Sequence, residues 1–296
     1  HGEGHSFPTR RSSDLYGDIV TADFSDVYVL RNTDEGKSEN FTLQIEKVLR
    51  EESGFFGSFA WTYGRSEDVN PFTSSRAVSN WRNRAVFDPN APEKGTSNYE
   101  VAHRFLGVFG YTRDWGKGFR TTATLVYEGR EGRPFSVTFN DDINGDGRSN
   151  NDLLYVPTGP GDPNVTFDRA FPTDAFFSYL DNIGIAKHGG GPVPRSSQYN
   201  PWVHTWDLKV VQELPIWQRV KSEIFIDFRN LGNWIDDEWG LTEEIGFPFN
   251  QRTVEGSFDP ASGTYTFTGL DIDESRVRVG DFRSRWALQF GARITF

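Results

Sequence analysis

The sequence contains no cysteine and no methionine. Lacking cysteine, it can build neither a disulfide framework nor a thiolate metal site. Lacking methionine, it represents no start codon, and a longer parent chain is expected. Histidine is scarce, and the five present show no metal-ligand spacing. No apolar run approaches the ~20 residues that a transmembrane helix requires. Basic residues are in deficit, 31 against 42 acidic, for a formal charge of −11. Such an acidic chain argues against a nucleic-acid partner, which needs a basic face. Helical periodicity is nearly absent. No serine occupies a G-x-S-x-G turn and no catalytic constellation emerges, so no enzyme is expected.

What the chain does have is aromatic rings and polarity together. A 15% aromatic share accompanies a mean hydropathy of −0.59. That pairing suits a membrane β-barrel, whose lipid-facing residues are diluted by polar lumen residues and long loops. The first fifteen residues stand apart. The run Ser6-Phe7-Pro8-Thr9-Arg10-Arg11-Ser12-Ser13-Asp14-Leu15 resembles the in-frame translation of a sequencing-library adapter; read otherwise, it is a basic, Ser-rich surface segment. Residues 1–15 are therefore set aside as non-native. Residues 16–296 are expected to form the C-terminal part of a larger barrel.

Alternation with period two recurs along the chain. In the last segment Trp286, Leu288, Phe290, Ala292, Ile294 and Phe296 share one face, and Ala287, Gln289, Gly291, Arg293 and Thr295 the other. Phe41, Leu43 and Ile45 repeat the pattern, as do Phe59, Trp61 and Tyr63, then Ala123, Leu125 and Tyr127, and Trp206, Leu208 and Val210. Ile224, Ile226 and Phe228 do so too, although Phe225 breaks their polar face. The segment from His103 to Thr112 is ambiguous, because Leu106 and Val108 compete with Phe105, Phe109 and Tyr111.

Connections between these segments alternate strictly. Arg50 to Gly54, Asp114 to Gly118 and Leu214 to Val220 are tight, whereas Ser66 to Val101, Arg130 to Pro201 and Gly232 to Arg283 are long. Soluble domains rarely tolerate several such loops, but outer-membrane barrels place short turns inside and long loops outside. With a further strand near Asp18 to Leu30, the pattern predicts about eight antiparallel transmembrane strands, each close to the ~9–11 residues a tilted strand needs. Tyr63, Tyr127 and Trp286 then fall at the outer rim, and Trp115 and Trp217 at the inner one.

Two motifs carry candidate sites. The ending Gln289-x-Gly291-x-x-Ile294-x-Phe296 matches the polar-x-Gly-x-x-apolar-x-aromatic signal of outer-membrane barrels, a strand edge with a terminal aromatic suited to recognition by pairing. The second motif, Asp142-Ile143-Asn144-Gly145-Asp146-Gly147, begins like an EF-hand or dockerin calcium loop, with Asp142, Asn144, Asp146 and Asp152 as candidate ligands. It departs from that pattern at the twelfth position, where Leu153 replaces the bidentate Glu. The same residues also suit a polar loop of Asn-Gly and Asp-Gly turns. Beyond calcium in loop 142–152, no cofactor is expected. Acids at Asp236, Asp237, Glu238, Glu243 and Glu244 beside Trp234 and Trp239 could suggest sugar chemistry, or simply a solvated outer loop.

Family resemblance rests on several patches in order. Tyr127-Glu-Gly-Arg-Glu-Gly-Arg-Pro-Phe-Ser-Val-Thr-Phe139, running into the Asp-rich motif and Asn151-Asp-Leu-Leu-Tyr-Val-Pro157, looks like Oar-type TonB-dependent receptors. Gly36-Lys-Ser-Glu-Asn-Phe-Thr-Leu43, Gly54-Phe-Phe-Gly-Ser-Phe-Ala-Trp-Thr-Tyr63, His103-Arg-Phe105 and Asn230-Leu-Gly-Asn233 resemble them too. The resemblance implies an outer-membrane barrel of about twenty-two strands filled by an N-terminal plug. It further implies contacts with lipid, the barrel-assembly machinery, TonB through the missing N-terminal part, and an extracellular ligand. A barrel without energy coupling (porin or adhesin) and a secreted carbohydrate-binding β-sandwich are the alternatives.

Overall fold

The computed structural model describes residues 30–49, 53–89, 93–217, 220–272, 277–279 and 281–296. The adapter-like run and all but the last residue of the strand expected near Asp18 to Leu30 lie outside them. Seven long strands form one sheet: β1 (Lys37–Lys47), β2 (Gly54–Asp68), β3 (His103–Gly116), β4 (Phe119–Arg130), β5 (Val203–Trp217), β6 (Val220–Arg229) and β7 (Ala287–Thr295). They pair in chain order, each antiparallel to its neighbour, and Gly95–Thr96 adds a short rung to the outer end of β2. Among the described residues the sheet is open, with β1 and β7 at its two edges.

The register explains why the alternation matters. Phe41 faces Tyr63, Leu43 faces Trp61 and Ile45 faces Phe59 across the first pair. Ala123, Val210 and Ile226 form one row, which Phe290 completes. Every one of these positions lies on the same side, so one face of the sheet is a continuous apolar belt for lipid. The ambiguous segment resolves in β3: His103, Phe105, Phe109 and Tyr111 join the belt, and Leu106 and Val108 turn to the lumen face. That face also carries Phe56, Val126, Val211 and Phe225 but is mainly polar, with ion pairs Arg104–Glu128 at 2.7 Å, Arg293–Glu223 at 3.0 Å and Lys209–Asp227 at 3.8 Å.

Tight and long connections alternate as the sequence indicates, which puts three hairpins at one rim and three long excursions at the other. The β3–β4 hairpin needs its glycines: Gly116, Lys117 and Gly118 all have positive φ, a conformation that is free only for glycine. The outer rim is ringed by aromatics. Trp61, His103, Trp202, His204 and Tyr127 follow one another with centroids 5.9–6.5 Å apart and near-parallel planes. Phe228 continues the ring to Trp234 and Trp286.

The excursions depart from expectation. Instead of running as loops, they build an outer cap with its own core. A five-stranded sheet orders Gln198–Tyr199, Pro134–Phe139, Asn250–Asp259, Thr264–Leu270 and Val165–Phe167, drawing on the second and third excursions together. Val137, Phe139, Leu154, Tyr155, Val193, Val254 and Phe267 are buried there. Near-absence of helical periodicity also proves too strong a reading. Helix α1 (Thr173–Asn182) sends Phe176 and Leu180, one turn apart, into this core, and Phe176 meets Phe267 edge-on at 5.7 Å. Asp174 in its first turn suits the helix N-terminus.

Candidate functional site

The Asp-rich motif sits in the cap at the junction of all three excursions. Its chain leaves Phe139 and returns at Asp152, where the Phe139 N–H donates to the Asp152 carbonyl at 2.9 Å. The Val86 N–H of the first excursion donates to the Asn151 carbonyl at 2.8 Å, and the Asn250 amide of the third donates to the Asn150 carbonyl at 2.9 Å. The loop therefore ties together segments far apart in sequence.

Within the loop, side-chain oxygens collect backbone N–H groups. Asp142 accepts from Gly145 at 2.9 Å, Asp146 at 3.1 Å and Gly147 at 2.9 Å. Asn144 accepts from the Asp146 N–H at 2.9 Å, and Asp146 from the Arg148 N–H at 2.8 Å. Gly145 and Gly147 both adopt positive φ, where the chain must turn sharply. Asp152 is buried at 2% exposure, and its Oδ2 accepts from Ile143 and Asn144, at 2.5 and 3.2 Å. Burial pushes its carboxyl up to about 8, helped by the neighbouring charge of Asp146. Burial also raises Asp146 above the ordinary carboxylate range, and Asp142 adds to the shift. All four candidate ligands thus share one loop. Among the described residues, no three carboxylate or imidazole groups converge tightly enough to hold a metal as they stand.

The terminal motif lies on β7, the edge strand. Gln289 pairs with Asp227 on the lumen face, and Gly291 pairs with Phe225. Ile294 points to the lipid side opposite Ser222, and Phe296 projects fully exposed beyond the strand. Gln289 and Gly291 therefore share one face of the strand, Ile294 lies on the other, and Phe296 follows its end.

The acidic stretch after β6 makes a local turn and an ion pair. Asp236 accepts from the Glu238 N–H at 3.0 Å, and Glu244 lies 3.8 Å from Arg133. Trp234 rests against Phe228 as part of the aromatic ring at the rim. Sequence reasoning missed a second polar cluster at the base of the cap. Arg195 donates to the Asp68 carboxylate at 2.9 Å, the Tyr199 hydroxyl donates to Glu100, and Glu100 accepts from the Ser66 N–H at 2.6 Å. These contacts bolt the cap to the outer end of β2. No spacing in the sequence marks them, because Asp68 and Arg195 are distant in the chain.

A family model described as an outer membrane beta barrel domain matches residues 10–236. No curated protein and no solved structure matches the chain.

Proposed function

The chain belongs to the outer membrane beta barrel domain family and resides in the bacterial outer membrane, and on that premise we propose that it is the barrel wall and outer cap of a TonB-dependent receptor importing a scarce extracellular ligand. The observation that carries this reading is the cap. Its core of fully buried residues such as Tyr155, Phe176 and Phe267 makes it a shaped structure rather than a fringe of loops. A shaped outer surface favours recognition of a particular ligand over unselective diffusion. The lumen face below it, lined by Arg104, Glu128, Lys209, Asp227, Glu223 and Arg293, offers a polar path. Resemblance to Oar-type receptors supplies the energy coupling, through a plug and a TonB-contacting segment upstream. The reaction is transport, not chemistry.

The test uses the complete gene product in planar lipid bilayers and in a binding assay with the soluble domain of TonB. A plugged receptor shows no standing conductance and binds TonB. A steady ohmic channel with no TonB binding would replace this reading with a porin.

A further inference from the structure

Two polar side chains, each more than nine-tenths buried, enter the Asp-rich loop with an oxygen to spare. Asp152 spends Oδ2 on the Ile143 and Asn144 N–H groups, while Oδ1 has no hydrogen-bond partner. Asn151, at 1% exposure, donates its amide to Asp146 at 3.1 Å, while its own Oδ1 has no partner. Buried acceptors are normally satisfied. Two buried oxygens left over on side chains that both contact this loop, which also holds the carboxylates of Asp142 and Asp146, call for a cation rather than a further acceptor.

From this we infer that the loop binds one calcium ion through Asp142, Asn144, Asp146 and Asp152, and that the ion fastens the outer cap. Every candidate ligand is a hard oxygen, which suits calcium or magnesium and not a softer metal. Side-chain oxygens at alternate positions and the turn at Gly147 match a calcium loop, whose geometry is flexible where magnesium demands a near-ideal octahedron. Leu153 stands where the bidentate Glu of that pattern would be, and its side chain is buried. Asp152, one residue earlier, supplies the carboxylate from the returning chain instead. Because Asp142 and Asp146 are at present held by loop N–H groups, binding includes a tightening of the loop around the ion. That tightening reaches all three excursions, since Val86, Phe139 and Asn250 all bond to the same returning segment.

The experiment is calorimetric titration of calcium chloride into the complete protein, purified in detergent and stripped with chelator. Expected is one saturable site per chain that millimolar magnesium does not fill. In Asp146→Asn and Asp152→Asn the affinity should fall by at least about 10–100-fold, the loss typical even of an outer-shell partner. Asp236→Asn, in the acidic stretch outside the loop, should leave it unchanged. Heat-modifiable migration shows that each variant is folded. No saturable calcium binding by the folded parent protein would overturn the proposal, as would equal affinity in the parent and both loop variants.

Discussion

The ring of Phe225 lies across Gly291 on the lumen face, so close that a Cβ on Gly291 would meet its Cζ at 2.3 Å. The two are direct cross-strand partners, and Lys209 stands 4.9 Å from the same ring. What looks in sequence like an apolar residue misplaced on a polar face is the cover of a glycine on the edge strand.

This pairing predicts a sign reversal. Phe225→Ala uncovers the glycine and should cost about 0.2–1 kcal/mol, the usual worth of a cross-strand pair. Gly291→Ala should destabilise the parent protein, because the ring must swing aside, yet be neutral or favourable once Phe225 is alanine. Urea unfolding of the four proteins in a double-mutant cycle reads the coupling. Strict additivity would mean that the Phe225 ring does not cover Gly291.

The lipid belt predicts a depth profile. The row containing Val210, Ile226 and Phe290 lies below the row of Leu208, Phe228 and Leu288, which itself lies below Trp206 and Tyr127 at the rim. Arginine at Val210 or Ile226 should cost about 2–4 kcal/mol, and less at Leu208 or Leu288 nearer the interface. Gln289→Arg, on the lumen face, should cost least. Equal losses at Leu288 and Gln289 would show that the faces are wrongly assigned.

Phe296 predicts an assembly defect. It projects from the edge strand with its ring exposed, available to whatever first pairs with β7. Deleting it from the complete protein should lower the amount found in the outer membrane without changing synthesis. Membrane fractionation with quantitative blotting measures both, and normal levels would remove Phe296 from the signal.

Asp152 predicts a pH response of the cap. Its folded-state value of about 8 lies above the ordinary carboxylate value of 3.8. The folded cap therefore holds a proton that the unfolded chain gives up, and between those two values stability falls as pH rises. In chelator, proteolysis of the segment 131–202 should be faster at pH 8 than at pH 5, with rates normalised to an unstructured substrate. Asp152→Asn removes the titration and should flatten the difference. A parallel trend in the variant would assign the response to another group.

The wall was legible in the sequence and the cap was not, for a physical reason. A barrel strand writes itself as alternation, since its partners lie beside it in the chain and lipid selects one face. Trp206, Leu208 and Val210 could be placed from their spacing alone, and the register agrees. His103 to Thr112 could not, because Leu106 and Val108 are apolar residues on the lumen face and blur the contrast. In the cap, Pro134–Phe139 lies parallel to Asn250–Asp259, and Val165–Phe167 parallel to Thr264–Leu270. Such pairings join segments about a hundred residues apart, which leaves no local signature. Helix α1 did leave one, the one-turn spacing of Phe176 and Leu180, but it is short and embedded in a stretch that otherwise reads as a loop. In the Asp-rich loop, the turn residues were readable, whereas the burial of Asp152 depends on neighbours from other excursions.

Those parallel pairings also set an order of events. Val137 and Phe139 are buried against Val254 and Phe267, which come more than a hundred residues later. The second excursion supplies much of this core itself, but its strand Pro134–Phe139 has no neighbour on one side until the third excursion has reached the same side of the membrane. Non-local pairing is slow to form, so the sheet of the cap closes late, once chain on both sides of β5 and β6 has been carried across.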